Sequence, residues 1–176
     1  MPDRLPSLIA AVKTLASMPK WEELDDQFSF IVSLDIDNIT QMGLRLRGKC
    51  NRDYAAQNLT FQIEYQFRGV TKPVPVARID WRPIKPHQNP NFGPAELRLL
   101  RFHSSHHHLF QENHDWMIGN GQPLIDNIKA KNLPIAAPLE ADPSDVAGVI
   151  DLMGRLFNIK GVETIPVYPW KTPRLL

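Results

Sequence analysis

Five of the six histidines of this chain, His103, His106, His107, His108 and His114, fall between residues 103 and 114. If the run HHHLFQ is a strand, His106 and His108 project to one side, and His103 comes within reach across Ser104 and Ser105. Two imidazoles at i and i+2 joined by a third make a donor set for zinc or a non-haem metal. Glu112, His114, Asp115, Asp80 and His87 are each able to supply a remaining ligand. His103, His106 and His108 suit acid–base chemistry equally well, because imidazole titrates near neutrality. The plain alternative is a set of polar strand ends in water. No H-E-x-x-H or C-x-x-C pattern selects the metal, so a divalent ion is a cofactor the sequence permits and does not require.

The second chemical resource is cationic. Arg45, Arg47, Lys49 and Arg52 lie along one polar stretch, and Arg78, Arg82, Arg98 and Arg101 come from others. Side by side in a sheet they form a surface for a phosphate backbone or an acidic protein, with Arg45, Arg47, Arg78, Arg82 and Arg101 as the candidate binding residues. Asp35, Asp37, Glu64 and Asp80 occupy the same class of positions, so cross-strand ion pairs are the competing use of these charges. Nucleophiles are weakly signalled. Cys50 follows Lys49 and precedes Arg52, and Ser104 and Ser105 adjoin His103, but sequence neighbours on a turn seldom make a Ser–His pair. G-x-S-x-G, P-loop and G-x-G-x-x-G patterns are absent, and IGNGQP at 118–123 reads as a turn.

The elements that must position these residues follow from hydrophobic spacing. Residues 4–18 place Leu8, Ile9, Val12 and Leu15 on one stripe, which predicts a helix stopped by Pro19. The period then becomes two. Phe28, Phe30, Val32, Leu34 and Ile36 alternate with polar residues, as do Met42, Leu44 and Leu46 against Arg45, Arg47 and Lys49. In LTFQIEYQFR, Leu59, Phe61, Ile63, Tyr65 and Phe67 oppose Thr60, Gln62, Glu64, Gln66 and Arg68. In VPVARIDWRP, Ala77, Ile79 and Trp81 oppose Arg78, Asp80 and Arg82. PIKPHQNPNFGP is a long turn by composition, and AELRLLRFH and HHHLFQ read as two further strands joined at Ser104–Ser105. A closing helix begins at ADPSD, with Asp142 as N-cap and Pro143 first in the helix, and carries the stripe Val146, Val149, Ile150, Met153 and Phe157. VETIPVYPW adds an extended edge segment. The order predicts a single α+β domain over 1–176. Its mostly antiparallel sheet has about five to seven strands, with an N-terminal and a C-terminal helix packed on one face.

Composition narrows the function classes. The chain has 176 residues, enough for a core without metals or disulfides. Its charges, 20 Lys+Arg against 19 Asp+Glu, nearly cancel, unlike those of a duplex-coating protein. One cysteine, no export-type N-terminus and no long apolar run lead to the expectation of a cytoplasmic protein that does not enter membranes. Because the aromatics fall mostly on inward faces, an RRM-like stacking platform is not indicated.

The succession from IDWRP through GPAELRLLRFHSSHHHLFQENHDWMIGN to DPSDVAGVIDLMGRLFNI resembles a group of small bacterial and phage proteins encoded near toxin–antitoxin and mobile-element genes. Those carry an arginine- or aspartate-bearing strand, a histidine-rich strand, a nearby Trp and a closing amphipathic helix. The chain departs from them at LFNI, where a cysteine often ends that helix. The resemblance brings no catalytic residue with it. It implies a small defence, toxin–antitoxin or mobile-element accessory protein that binds a protein or RNA partner through the open sheet face and the His-rich hairpin. The near-zero charge favours a protein. The alternative is a small ribonuclease, with or without metal, in which His103, His106 and His108 act and Arg78, Arg82 or Arg101 stabilises phosphate charge.

Overall fold

The computed structural model describes residues 4–53, 57–119 and 133–167, and the side chains of all of these except 117–119. The elements in chain order are α1 (Arg4–Ala10), β1 (Lys13–Leu15), β2 (Glu22–Leu24), β3 (Gln27–Ile36), β4 (Ile39–Asn51), β5 (Leu59–Tyr65), β6 (Val74–Trp81), β7 (His87–Gln88), β8 (Arg101–Phe102), β9 (His106–His108), α2 (Phe110–Gly119), β10 (Ala137–Pro138), α3 (Val146–Phe157) and β11 (Ile159–Lys160). A nine-stranded sheet runs β10-β9-β6-β5-β4-β3-β1-β11, with β2 also paired to β3; β7 and β8 form a separate two-stranded sheet. All pairings are antiparallel except β1 with β11.

The α+β class and the mostly antiparallel sheet match the sequence reading, whereas the strand count and the two-helix arrangement do not. The edges account for the extra strands. Short pieces with no periodicity of their own fill these edges: β1 and β2 pair with β3, β10 pairs with β9, and β11 pairs in turn with β1, each meeting backbone N–H and C=O groups that need partners. The long hairpin β3–β4 turns on Asp37 and Asn38, both at positive φ, a pair suited to a two-residue turn whose twist matches the strands. Gly48 lies opposite both Phe30 and Phe61; a Cβ there would come within 2.3 Å of the Phe30 ring, so glycine lets that ring lie across the strand.

One sheet face carries the core. Leu44, Leu46, Leu59, Phe61, Ile63, Ile79 and Trp81 meet the stripe Val146, Val149, Ile150, Met153 and Phe157 of α3, each buried. Such a side chain contributes about 1.5–3 kcal/mol when removed from water. The α3 stripe follows the sequence expectation, but the cap is Asp145, whose Oδ1 accepts from the Gly148 N–H at 2.8 Å. Asp142 and Pro143 are drawn elsewhere: Trp81 Nε1 donates to the Pro143 carbonyl at 3.0 Å, and Asp142 lies 4.0 Å from Arg82. Met42, expected inward, is 94% exposed, because β4 overshoots the covered part of the sheet.

The N-terminal helix ends at Ala10, not Met18. Lys13 is fully buried, and its ammonium donates to the carbonyls of Leu8, Ile9 and Ala11 at 3.3, 2.6 and 2.6 Å, satisfying groups that a longer helix would have bonded internally. Residues 13–15 then pair with β3 and β11. AELRLLRFH also breaks: Ala95–Leu97 is a 3-10 turn, and only Arg101–Phe102 is strand. HHHLFQ is strand only through His108, since Phe110 and Gln111 already belong to α2. VETIPVYPW yields a 3-10 turn at Val162–Thr164 and not an edge strand, and its residues 168–170 lie outside the described residues; so do 120–123 of the predicted IGNGQP turn. No helix of the described residues is long and apolar enough to cross a membrane.

Candidate functional site

The sheet's other face is polar, and its chemistry is organised by register. Two cross-strand rows run over β4, β5, β6 and β9. One reads Arg47, Gln62, Arg78, His108, and the next reads Lys49, Thr60, Asp80, His106. Period-two alternation puts every member of both rows on the same side, because each neighbour in a row is a directly opposed pair. Between them lies a cavity of about 260 Å3 lined by Arg47, Lys49, Asn58, Thr60, Gln62, Arg78 and Asp80.

Asp80 is the hub. Its Oδ2 accepts from Arg78 Nε at 2.7 Å and its Oδ1 from the Thr60 hydroxyl at 3.0 Å. His106 Nε2 and His108 Nε2 stand 3.4 and 3.6 Å from Oδ2. Burial alone would raise this carboxyl, but the close contacts with His106 and His108 and the Arg78 charge hold it well below the usual carboxylate range. Asp80 and Arg78 face the cavity, while His106 and His108 are buried behind them. A third ring, His87 from β7, stacks on His106 with centroids 5.5 Å apart and meets His108 edge-on at 4.7 Å. Burial pushes His108 down to about 4; the Arg78 charge acts in the same direction, and contact with Asp80 opposes it. Burial also lowers His87.

Each ring is oriented by a carbonyl. His106 Nδ1 donates to the Ser104 carbonyl at 2.9 Å, and His108 Nδ1 to that of Leu133 at 2.7 Å. His87 Nε2 lies 3.0 Å from Asn89 Oδ1 and 3.3 Å from the Pro134 carbonyl. The segment that supplies the Leu133 and Pro134 carbonyls is held by two buried asparagines. Asn113 donates to the Ile135 carbonyl and accepts its N–H, and Asn89 does the same with Ala136, all at 2.8–3.0 Å. Each asparagine side chain thus acts as one rung of a strand pair, and backbone partners settle which amide atom is oxygen.

Of the sequence candidates, His106 and His108 come together with Arg78 behind the cavity wall, and Arg47 lines that wall with Arg78. His103 does not. It is exposed on a second cavity with Gln57, Arg82, Pro83, Ile84, Ser104, Ser105 and Asp142. The reason is that β8 and β9 do not pair with each other, so the Ser104–Ser105 link turns His103 away. Arg82 leaves the polar face as well: its φ is +47°, its guanidinium lies 4.4 Å from the Trp81 ring centre, and it donates to the Ser144 carbonyl. Arg101 is exposed on β8, and Arg98 donates to the Gly93 carbonyl. Arg45 is bound to Glu64 at 2.6 Å. Cys50 points into the core, where burial pushes its thiol up to about 11, so it is not an activated nucleophile. His107 faces the opposite side from its neighbours, paired with Ile79 and Ala137. His87, one of five possible extra ligands by sequence, is the third member of the group; its signal was a histidine inside a proline-rich turn, which carries no positional information. Compared with known protein families, curated proteins and solved structures, the chain matches none.

Proposed function

We propose that the polar sheet face binds single-stranded RNA, with the cavity between β4 and β6 taking a backbone phosphate, in a defence, toxin–antitoxin or mobile-element setting. The observation that carries this reading is the convergence of Arg47, Lys49 and Arg78 on one concave site, with Asn58, Thr60 and Gln62 as hydrogen-bonding partners between them. Four cations of this face, Arg45, Arg47, Lys49 and Arg78, meet two carboxylates, Glu64 and Asp80, so the patch is locally positive although the chain is nearly neutral. Recessed cations suit a slender anion such as a phosphodiester better than the broad surface of an acidic protein. A local patch on a neutral chain also suits a single strand better than a duplex.

The test is fluorescence anisotropy with a labelled RNA oligonucleotide at several salt concentrations. Affinity falls steeply with salt, and Lys49→Ala lowers the slope by about one. A flat salt response, or a Lys49→Ala protein that binds unchanged, overturns the reading, and binding to an acidic protein instead replaces RNA as the partner. A second reading, a small ribonuclease, is supported by Asp80 and Arg78 standing at the cavity wall with imidazoles behind them. There Asp80 orients the attacking group and Arg78 meets the phosphate charge. It requires that bound RNA be cut and that Asp80→Asn stop the cutting while binding persists.

A further inference from the structure

Behind the cavity wall, the imidazoles show a pattern that RNA binding does not need. We infer that His87, His106 and His108, with Asp80 Oδ2, bind one divalent transition-metal ion of the zinc class. The inference concerns this inner layer and does not depend on the RNA reading.

The argument begins with protons. Ser104 O and Leu133 O only accept, so the nitrogens facing them, Nδ1 of His106 and Nδ1 of His108, carry hydrogen. Asn89 Oδ1 already accepts the Ala136 N–H, so it is an acceptor towards His87 as well, and His87 Nε2 also carries hydrogen. In the neutral rings this leaves one lone pair each, on His87 Nδ1, His106 Nε2 and His108 Nε2. One nitrogen from each of the three rings falls within a group whose atoms lie within 4.8 Å of one another. Imidazoles that bind metals characteristically donate the other ring N–H to a carbonyl or carboxylate, which fixes tautomer and direction. All three rings here do so.

Two further observations point to a cation. His106 Nε2 is buried with no hydrogen-bond partner, a lone pair removed from water without compensation. Arg78 meanwhile bridges two of the proposed ligands, its Nε 2.7 Å from Asp80 Oδ2 and its Nη2 2.8 Å from His108 Nε2. A positive charge is therefore wanted at this point, and a guanidinium reaches it from the cavity side but satisfies only part of the donor set. Tetrahedral bonds of about 2.0–2.1 Å bring ligand nitrogens to roughly 3.4 Å apart. From separations of up to 4.8 Å the rings must close in by up to about 1.4 Å, with His87 carried by β7 of the separate small sheet. Metal entry displaces Arg78 towards the cavity. Three nitrogens and one carboxylate select zinc, cobalt, nickel or iron over magnesium and calcium, which prefer oxygen.

The experiment uses the full chain, free of any affinity tag and stripped with chelator. Zn2+ is titrated by calorimetry, and Co2+ by its visible absorption. One equivalent binds, the Co2+ spectrum is that of a tetrahedral site, and Mg2+ gives no response. His87→Ala, at a half-buried position, weakens Zn2+ by more than the about 10–100-fold that loss of an outer-shell partner costs. Arg78→Met, which removes the competing cation, binds Zn2+ at least as tightly as the unmodified chain. Lys49→Ala leaves Zn2+ affinity unchanged even where it abolishes RNA binding, which separates failure of this inference from failure of the RNA reading. Absence of stoichiometric Zn2+, or binding indifferent to His87→Ala, overturns the inference.

Discussion

Glu64, buried, and Asp80, partly buried at the cavity, are carboxylates on the polar face of the same sheet, one on β5 and one on β6, yet they are satisfied in different ways. Glu64 gathers Arg45, Arg47 and Gln62, all from the same face, and its two arginines remain 29% and 36% exposed. Those guanidinium groups are flexible and wet, and they can return to water if the carboxylate is lost. Asp80 is held by Arg78 and Thr60 and backed by imidazoles whose directions are set by backbone carbonyls. The first cluster is a closed ion-pair knot. The second keeps a lone pair in reserve, and the difference lies in the neighbours: β4 supplies long cations, whereas β9 supplies short rings.

Four changes break or sharpen this contrast. The largest effect belongs to Asp80→Ala, which leaves Arg78 mostly buried without a counter-ion and costs about 3–5 kcal/mol in chemical denaturation. A loss near that of an exposed ion pair, under about 1 kcal/mol, would mean that the imidazoles alone hold Arg78.

Next comes acidity in chelated protein. His108 titrates near 4 in the folded chain against 6.5 for the free group, so between those values the unfolded chain binds more protons and stability falls as pH drops. The slope reaches about 1.4 kcal/mol per pH unit for one such group. Asp80 and Arg78 from β6, His106 beside it and His87 from β7 face this ring, and His87, also lowered, adds in the same direction. Urea midpoints across pH 4–7 measure the slope, and His108→Asn reduces it; an equal slope in that variant assigns it elsewhere.

Glu64→Gln follows at about 1–3 kcal/mol, because the arginines re-solvate while a buried amide replaces an ion. A cost equal to that of Asp80→Ala would erase the distinction between the two clusters. Smallest is Lys49→Ala, for which no side-chain hydrogen bond or ion pair among the described residues is lost and stability shifts by at most about 0.5 kcal/mol, even as RNA affinity drops. A larger shift in the melting temperature would make Lys49 structural.

Much of the polar face was legible in the alternation itself. LTFQIEYQF and VARIDW put Gln62, Glu64, Arg78 and Asp80 on one side because strand geometry leaves only two choices, and the stripe of α3 was readable for the same kind of reason. The helix expected over 4–18 misled because a three-residue strand has too little length to contradict a helical stripe, and the buried Lys13 with the pairing of residues 13–15 decided against it. His103 misled because adjacency to a strand says nothing about which sheet the preceding segment joins.

From sequence alone, then, came the two-faced sheet, the crowding of His106 and His108 on one side, and the near balance of charge, since each depends on residue type and local period. Tertiary structure decided the rest. It placed β9 next to β6 so that His106 lies opposite Asp80, brought His87 in from a proline-rich turn, and used Asn89 and Asn113 to hold the carbonyls that aim the rings. The two asparagine pairings span 22 and 47 residues of chain, and no local periodicity encodes which distant segment will satisfy a buried donor.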